Sequence, residues 1–166
     1  MSEEVIVLDE LFPLQAGLDQ EIADLHHVDY ESTHDRRVLA LLVELGEFAN
    51  ETRCFKYWSL KPASPKEVVL DEYADGLHFF LSLGIPLGVT TFSHRYKIRE
   101  KDLSRAIVGV YKAVGALHEH YDPEHYGVAF GAYLNLLPLL GVEGSEAIAA
   151  YKKKLAVNYR RQETKY

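Results

Sequence analysis

The chain has 166 residues, and 18 Lys and Arg against 25 Asp and Glu give a formal charge of -7, with 48% hydrophobic and 26% charged residues. This describes a single globular domain over residues 1–166 that buries roughly 70% of its unfolded surface, and the acidic balance excludes a partner held mainly by its phosphate backbone, so no nucleic acid is expected. The lone Cys54 excludes an internal disulfide or a Cys-rich zinc site, and no run approaches 18 apolar residues, so the expectations are a cytoplasmic protein with no membrane partner.

In chain order, the VIVL run near the N-terminus and GVTTF near Gly88 are too short to predict a sheet. A first helix is predicted near Asp9 to His27, with Pro13 and Gly17 weakening its start. From Ser32 onward, Val38, Leu41, Leu42, Leu45, Phe48, Ala49 and Thr52 recur at the 3.6-residue period of an amphipathic second helix. Pro62 and Pro65 break that pattern. Ser64 is placed to cap a third helix that takes Pro65 as its first residue and runs to Leu83, where Gly84, Ile85 and Pro86 stop it. Further helices are predicted from Glu100 to Tyr121, from Pro123 to Leu140 with a kink at Pro138, and from Gly144 to Arg161 with Ser145 as its cap. The expected class is all-α, a bundle of about six helices.

The common nucleotide-loop, zincin and serine-hydrolase motifs are absent, and what remains is acidic. On the second helix Glu44, Glu47 and Glu51 share one stripe, and on the third Glu72 and Asp75 repeat it. At 100° per residue both stripes lie about 120° from the centre of the apolar arc, flanking the core. If the two helices pair antiparallel, Glu44, Glu47, Glu72 and Asp75 converge at their seam. Carboxylates about 5 Å apart repel by roughly 3 kcal/mol per pair at an effective dielectric of 20, so such a cluster needs a cation or protons. An all-oxygen donor set selects a hard ion such as Mg²⁺, and a pair of such ions can activate a water and hold the phosphoryl group it attacks. A solvated helix face carries the same spacing, so the stripe alone leaves a metal site and a merely soluble scaffold both open.

The strings ELGEFANETRCFKYWS (44–59) and VLDEYADGLHFFLSLGI (69–85) resemble the signature of the dimeric all-α dUTPases, a branch of the all-α NTP pyrophosphatases that includes MazG-like enzymes. The family pattern is E-x-x-E followed some two dozen residues later by E-x-x-D, and here 24 residues lie between Glu47 and Glu72. LFPLQAGLDQEI (11–22) and KLAVNYRRQETKY (154–166) extend the resemblance to both ends of the chain. It implies Mg²⁺-dependent hydrolysis of dUTP, and of dUDP, to dUMP, with Mn²⁺ as a substitute ion and a homodimer as the assembly. Glu44, Glu47, Glu72 and Asp75 match the metal-binding carboxylates, and Glu44 or Glu47 would accept the proton of the attacking water.

Gln15 matches the family's glutamine near the start of the first helix, where a primary amide suits the O4/N3 edge of uracil; as a residue it reads equally as an exposed helix glutamine. Trp58, if the second helix reaches it, shares the face of Glu44 and walls the base pocket, or else joins the core. His78, one turn after Asp75, suits a supporting or packing role, because Mg²⁺ prefers oxygen. Lys154, Asn158 and Arg161 share a face of the last helix and match the family's K-x-x-x-N-x-x-R-Q tail, which implies that they close over the triphosphate. Lys165 extends that line but stands where the family has glycine. A MazG-like pyrophosphohydrolase acting on dCTP or a modified nucleotide remains the alternative activity.

Overall fold

The computed structural model describes residues 4–164, and Lys165, at the end of the predicted tail, lies outside them. The elements in order are β1 (Val5–Val7), α1 (Leu11–His26), α2 (Tyr30–Thr52), α3 (Lys66–Gly84), a 3₁₀ turn at Ile85–Leu87, β2 (Ser93–Arg95), α4 (Leu103–Glu119), α5 (Pro123–Leu134), the single turn α6 (Leu136–Leu139) and α7 (Gly144–Glu163). The molecule is 71% helical, an all-α bundle of six long helices and one short one.

The VIVL run does pair, with Ser93–Arg95, which follows GVTTF. Val5 lies opposite Arg95, Ile6 opposite His94 and Val7 opposite Ser93 in an antiparallel ribbon. Three-residue strands give no readable alternation, and this pair is held by what flanks it. Ile6 and Leu8 are buried, Leu8 N–H donates to the Phe92 carbonyl (2.8 Å), and Asp9 accepts from Phe92 N–H (2.7 Å).

The caps set the helix boundaries. Asp29 and Ser32 form a reciprocal capping box that starts α2, while Asp102 and Asp122 each accept a backbone N–H in the first turn of α4 and α5. Two predicted caps move. Pro65 is the residue before α3 rather than its first, and the Ser64 hydroxyl bonds Glu51 instead of capping. At α7 the cap is Glu143, paired with Glu146, because Ser145 already lies inside the helix.

Helices α2 and α3 form the most extensive helix pair of the bundle. Cross-contacts link Arg37 to Ser82, Glu44 to Asp75 and Glu51 to Ser64, so the paired residue numbers fall on one helix as they rise on the other. The pair is antiparallel, as the carboxylate stripes required.

The C-terminal half braces α3 from behind. Tyr133 and Tyr126 donate their hydroxyls to the backbone carbonyls of Tyr73 (2.6 Å) and Phe80 (2.7 Å), and Tyr73 returns a bond to the Tyr133 carbonyl (2.9 Å). Gly76 and Gly84 make this approach possible, since a Cβ at either would overlap the Tyr133 or Tyr126 ring. Phe48, Tyr73, Phe80 and Phe130 fill the centre, fully buried. Residues 86–142 thereby hold rigid the helix that carries Glu72 and Asp75. No single helix among the described residues is long and apolar enough to cross a membrane.

Candidate active site

Antiparallel packing of α2 on α3 brings one carboxylate oxygen from each of Glu44, Glu72 and Asp75 within 4.8 Å of the other two. The three are half-buried, and Glu44 Oε2 and Glu72 Oε2 are inaccessible to solvent with no hydrogen-bond partner. Burial, the hydrogen bond shared with Glu47 and the Asp75 charge push Glu44 up to about 8. Burial and then the charges of Asp75 and Glu47 push Glu72 up to about 7. Asp75 is raised too, chiefly by burial, with Lys154 opposing the shift. Glu47 stands beside this trio on the exposed side, near enough to act on both glutamates.

The donor set fits a hard divalent cation. Its ligands are all carboxylate oxygens, and Glu44 and Glu72 each bury an oxygen where a polar atom without a partner costs about 1–3 kcal/mol. Oxygens bound to a single Mg²⁺ at about 2.1 Å are at most about 4.2 Å apart, so small side-chain rotations suffice to close the set.

Beside the trio opens a cavity of about 540 Å³, lined by residues of α1, α2, α3 and α7. Glu44 and Asp75 line it beside the trio, Asn158 and Arg161 line it from α7, Gln15 and His78 meet one turn farther along α3, and Asp19 and Arg37 lie by Ser82 at its far end. Between these polar groups the wall is apolar, with Leu18, Ile22, Ala23, Val28 and Phe79. An apolar slot with a few converging polar groups is the usual form of a small-molecule site.

Gln15 lies in this wall, yet its amide is occupied by the protein. Nε2 donates to Asp19 Oδ1 (2.9 Å), and Oε1 accepts from the Tyr151 hydroxyl (2.9 Å) and faces His78 Nδ1 at 2.6 Å. Because a carboxylate only accepts, the amide nitrogen must point at Asp19, and His78 therefore carries its proton on Nδ1. His78 Nε2 is left as a buried acceptor with no hydrogen-bond partner, and burial holds the ring neutral by lowering its pKa to about 3.

Asp19 is the residue that sequence reasoning missed. It lines the cavity, accepts from Gln15 and from the Tyr30 hydroxyl (2.8 Å), and is raised by burial against the opposing charge of Arg37. Arg37 is itself pinned to Thr33 Oγ1, the Ser82 carbonyl and the Tyr30 carbonyl. A carboxylate on the first helix looks solvated in the sequence; only its spacing of four from Gln15 hinted at a pair.

Two expectations for substrate residues change. The second helix ends at Thr52, where Arg53 turns left-handed at φ 57°, so Trp58 is not on the helical face of Glu44. Trp58 is 64% exposed, packs edge-on against Phe55 and Tyr57, and does not line the cavity. Lys154 is buried rather than poised over the opening. Its Nζ lies 2.9 Å from Asp71 Oδ2 and 3.3 Å from Asp75 Oδ1, which leaves Asn158 and Arg161 as the cavity-facing members of the tail.

A comparison with curated proteins returned no match. The family model described as dUTPase matches residues 7–166, nearly the whole chain, including both carboxylate stripes and the α1 and α7 walls of the cavity. The chain therefore belongs to the all-α dUTPase family, whose activity, that of a dUTP diphosphatase, it carries.

Proposed function

We propose that the chain hydrolyses dUTP, and dUDP, to dUMP in a reaction that depends on Mg²⁺, with Mn²⁺ as a substitute. The observation that carries this reading is the pair of buried, partnerless oxygens on Glu44 and Glu72, next to Asp75 and at the edge of a nucleotide-sized cavity. Glu44, Glu72 and Asp75, with Glu47 beside them, would hold the cation. When bound, a divalent cation polarises the phosphoryl oxygens and lowers the pKa of water at the site.

The chain's own groups do the rest. Glu47 stands beside Glu44, and one of these two carboxylates accepts the proton of the attacking water. Arg161 and Asn158 on the facing helix bind the phosphates, the guanidinium by paired hydrogen bonds and the amide by a neutral one. The apolar slot takes the pyrimidine and excludes water. At its end the Asp19 carboxylate accepts from the N3–H of uracil, with Gln15 and Tyr30 fixing its position. His78 Nε2 is an acceptor for a sugar hydroxyl.

The Asp19 carboxylate would also accept from the 4-amino group of cytosine, which makes dCTP the competitor to test. Exposed Leu39 and Val43 on α2, with Tyr57, Trp58 and Leu60 in the following loop, support a homodimer. The lone thiol of Cys54 and the lack of a spanning helix among the described residues are in keeping with a cytoplasmic protein.

The test is phosphate and pyrophosphate release from dUTP, dUDP, dCTP, dTTP and UTP, each with Mg²⁺ and with EDTA. Turnover of dUTP and dUDP only with Mg²⁺ is expected, with dTTP and UTP far slower because the slot has to admit an added methyl or hydroxyl. If dCTP is the best substrate, the dCTP reading replaces this one.

A further inference from the structure

Lys154 is a cation held at ion-pair distance from an acid of the candidate metal cluster. Its side chain is 7% exposed, and its Nζ bridges Asp75, a member of the trio, and Asp71, which is not. The two contacts are unequal. Asp71 lies at 2.9 Å, with 53% of its side chain exposed, and Asp75 at 3.3 Å, with 18%. Asp71 sits one residue before Glu72 on α3, so it faces Lys154 from the edge of the seam and contributes nothing to the trio.

We propose that Lys154 is the built-in counter-ion of the carboxylate cluster, and that Asp71 is a positioning residue that keeps its ammonium off the metal ligands. This rests on the metal reading given above. A buried ammonium and a divalent cation cannot both claim the Asp75 carboxylate at low cost, since like charges at such separations repel strongly in a partly desolvated site. Asp71 supplies the alternative. When Asp75 turns to a cation, the ammonium keeps its shorter contact with Asp71. The chain is thereby protected from full carboxylate repulsion before the cation arrives, and the two positive charges are kept apart afterwards.

Isothermal titration of Mn²⁺ into the full chain, without nucleotide, tests this on the parent, Lys154→Met, Asp71→Asn, Asp71→Glu and the Lys154→Met/Asp71→Asn double variant. Lys154→Met is expected to bind Mn²⁺ about tenfold more tightly and, without metal, to melt at a lower temperature. Asp71→Asn is expected to bind several-fold more weakly, Asp71→Glu to restore parental affinity, and the double variant to match Lys154→Met, because Asp71 acts only through the lysine. Equal or weaker Mn²⁺ binding in Lys154→Met overturns the proposal. So does an Asp71→Asn effect that persists in full in the double variant, since a general loss of negative charge would explain it. Should Lys154→Met not fold, the exposed Asp71 variants decide the matter alone: parental affinity in Asp71→Asn sinks the proposal. A parent that binds no Mn²⁺ removes the metal reading and this inference together; a parent that binds while the variants do not differ removes only this one.

Discussion

The two ends of the cavity are built on opposite principles. Toward the far end every hydrogen-bonding atom of Gln15 is occupied, Asp19 accepts from Gln15 and Tyr30, and Arg37 is fixed by three neighbours. At the near end Glu44 and Glu72 each bury an oxygen with no partner, and three carboxylates crowd one another. The first end is held by its own hydrogen bonds, with His78 Nε2 alone left open, and serves to select; the second is incomplete and is stabilised by something brought to it. Rigidity at one end and unmet charge at the other let one site hold a base in fixed register and still draw in a cation.

The comparison breaks most completely at Glu72. Glu72→Gln keeps the shape and removes one charge that a hard ion needs, so dUTP turnover should fall at least about 100-fold, the scale of losing one preorganised electrostatic group. Circular dichroism should show the helices unchanged. Glu47→Gln is expected to behave similarly in a turnover assay, because it removes a negative charge beside Glu44 and Glu72.

Arg161 faces the cavity from α7 and lies in the field of Asp75. Arg161→Ala should lower kcat/KM for dUTP by about tenfold, or about 1.4 kcal/mol, while Mn²⁺ affinity without nucleotide hardly changes. Unchanged steady-state kinetics would reduce α7 to a structural wall.

Acidity distinguishes the ends by stability rather than rate. Glu44 and Glu72 titrate near 8 and 7 in the folded chain but near ordinary carboxylate values when unfolded. Between about pH 4.5 and 8 the folded state therefore holds more protons, and the stability of the metal-free chain contributed by this site falls as pH rises. Melting curves in EDTA should show that decline, and Mg²⁺ should cancel it at pH 8. Glu44→Gln in EDTA at pH 8 should melt higher than the parent, each gained kcal/mol raising Tm by about 2–4 °C. A flat or rising metal-free profile would mean that the crowding is relieved some other way.

The smallest effect belongs to the selecting end. Tyr151→Phe removes one of two donors to Gln15 Oε1, and with His78 remaining the loss should be about 1 kcal/mol or less. It should appear as a few-fold rise in KM for dUTP with metal affinity untouched. An equal change in metal binding would show that the ends are not separate.

What the sequence revealed follows from which interactions are local. The α2 and α3 stripes were readable because a helix repeats every 3.6 residues, and both their pairing and the Glu44, Glu72 and Asp75 convergence follow from that period. Lys154 misled because its partners lie 83 and 79 residues away; on the last helix it looked like any cation near a C-terminus. Trp58 misled because a left-handed Arg53 ends α2 without the glycine that usually marks such a turn. The bracing tyrosines of α5 left only a helical pattern in the sequence, since their partners are backbone carbonyls of α3.

The most direct measurement is a crystal of the chain grown with Mn²⁺ and a non-hydrolysable dUTP analogue, with an anomalous difference map at the manganese edge. The account predicts a peak at the α2–α3 seam, about 2.1–2.2 Å from oxygens of Glu44, Glu72 and Asp75, with the analogue's phosphates between it and Arg161 and its base against Asp19. Manganese bound elsewhere, or an analogue seated in the cavity with those carboxylates still metal-free, would contradict it.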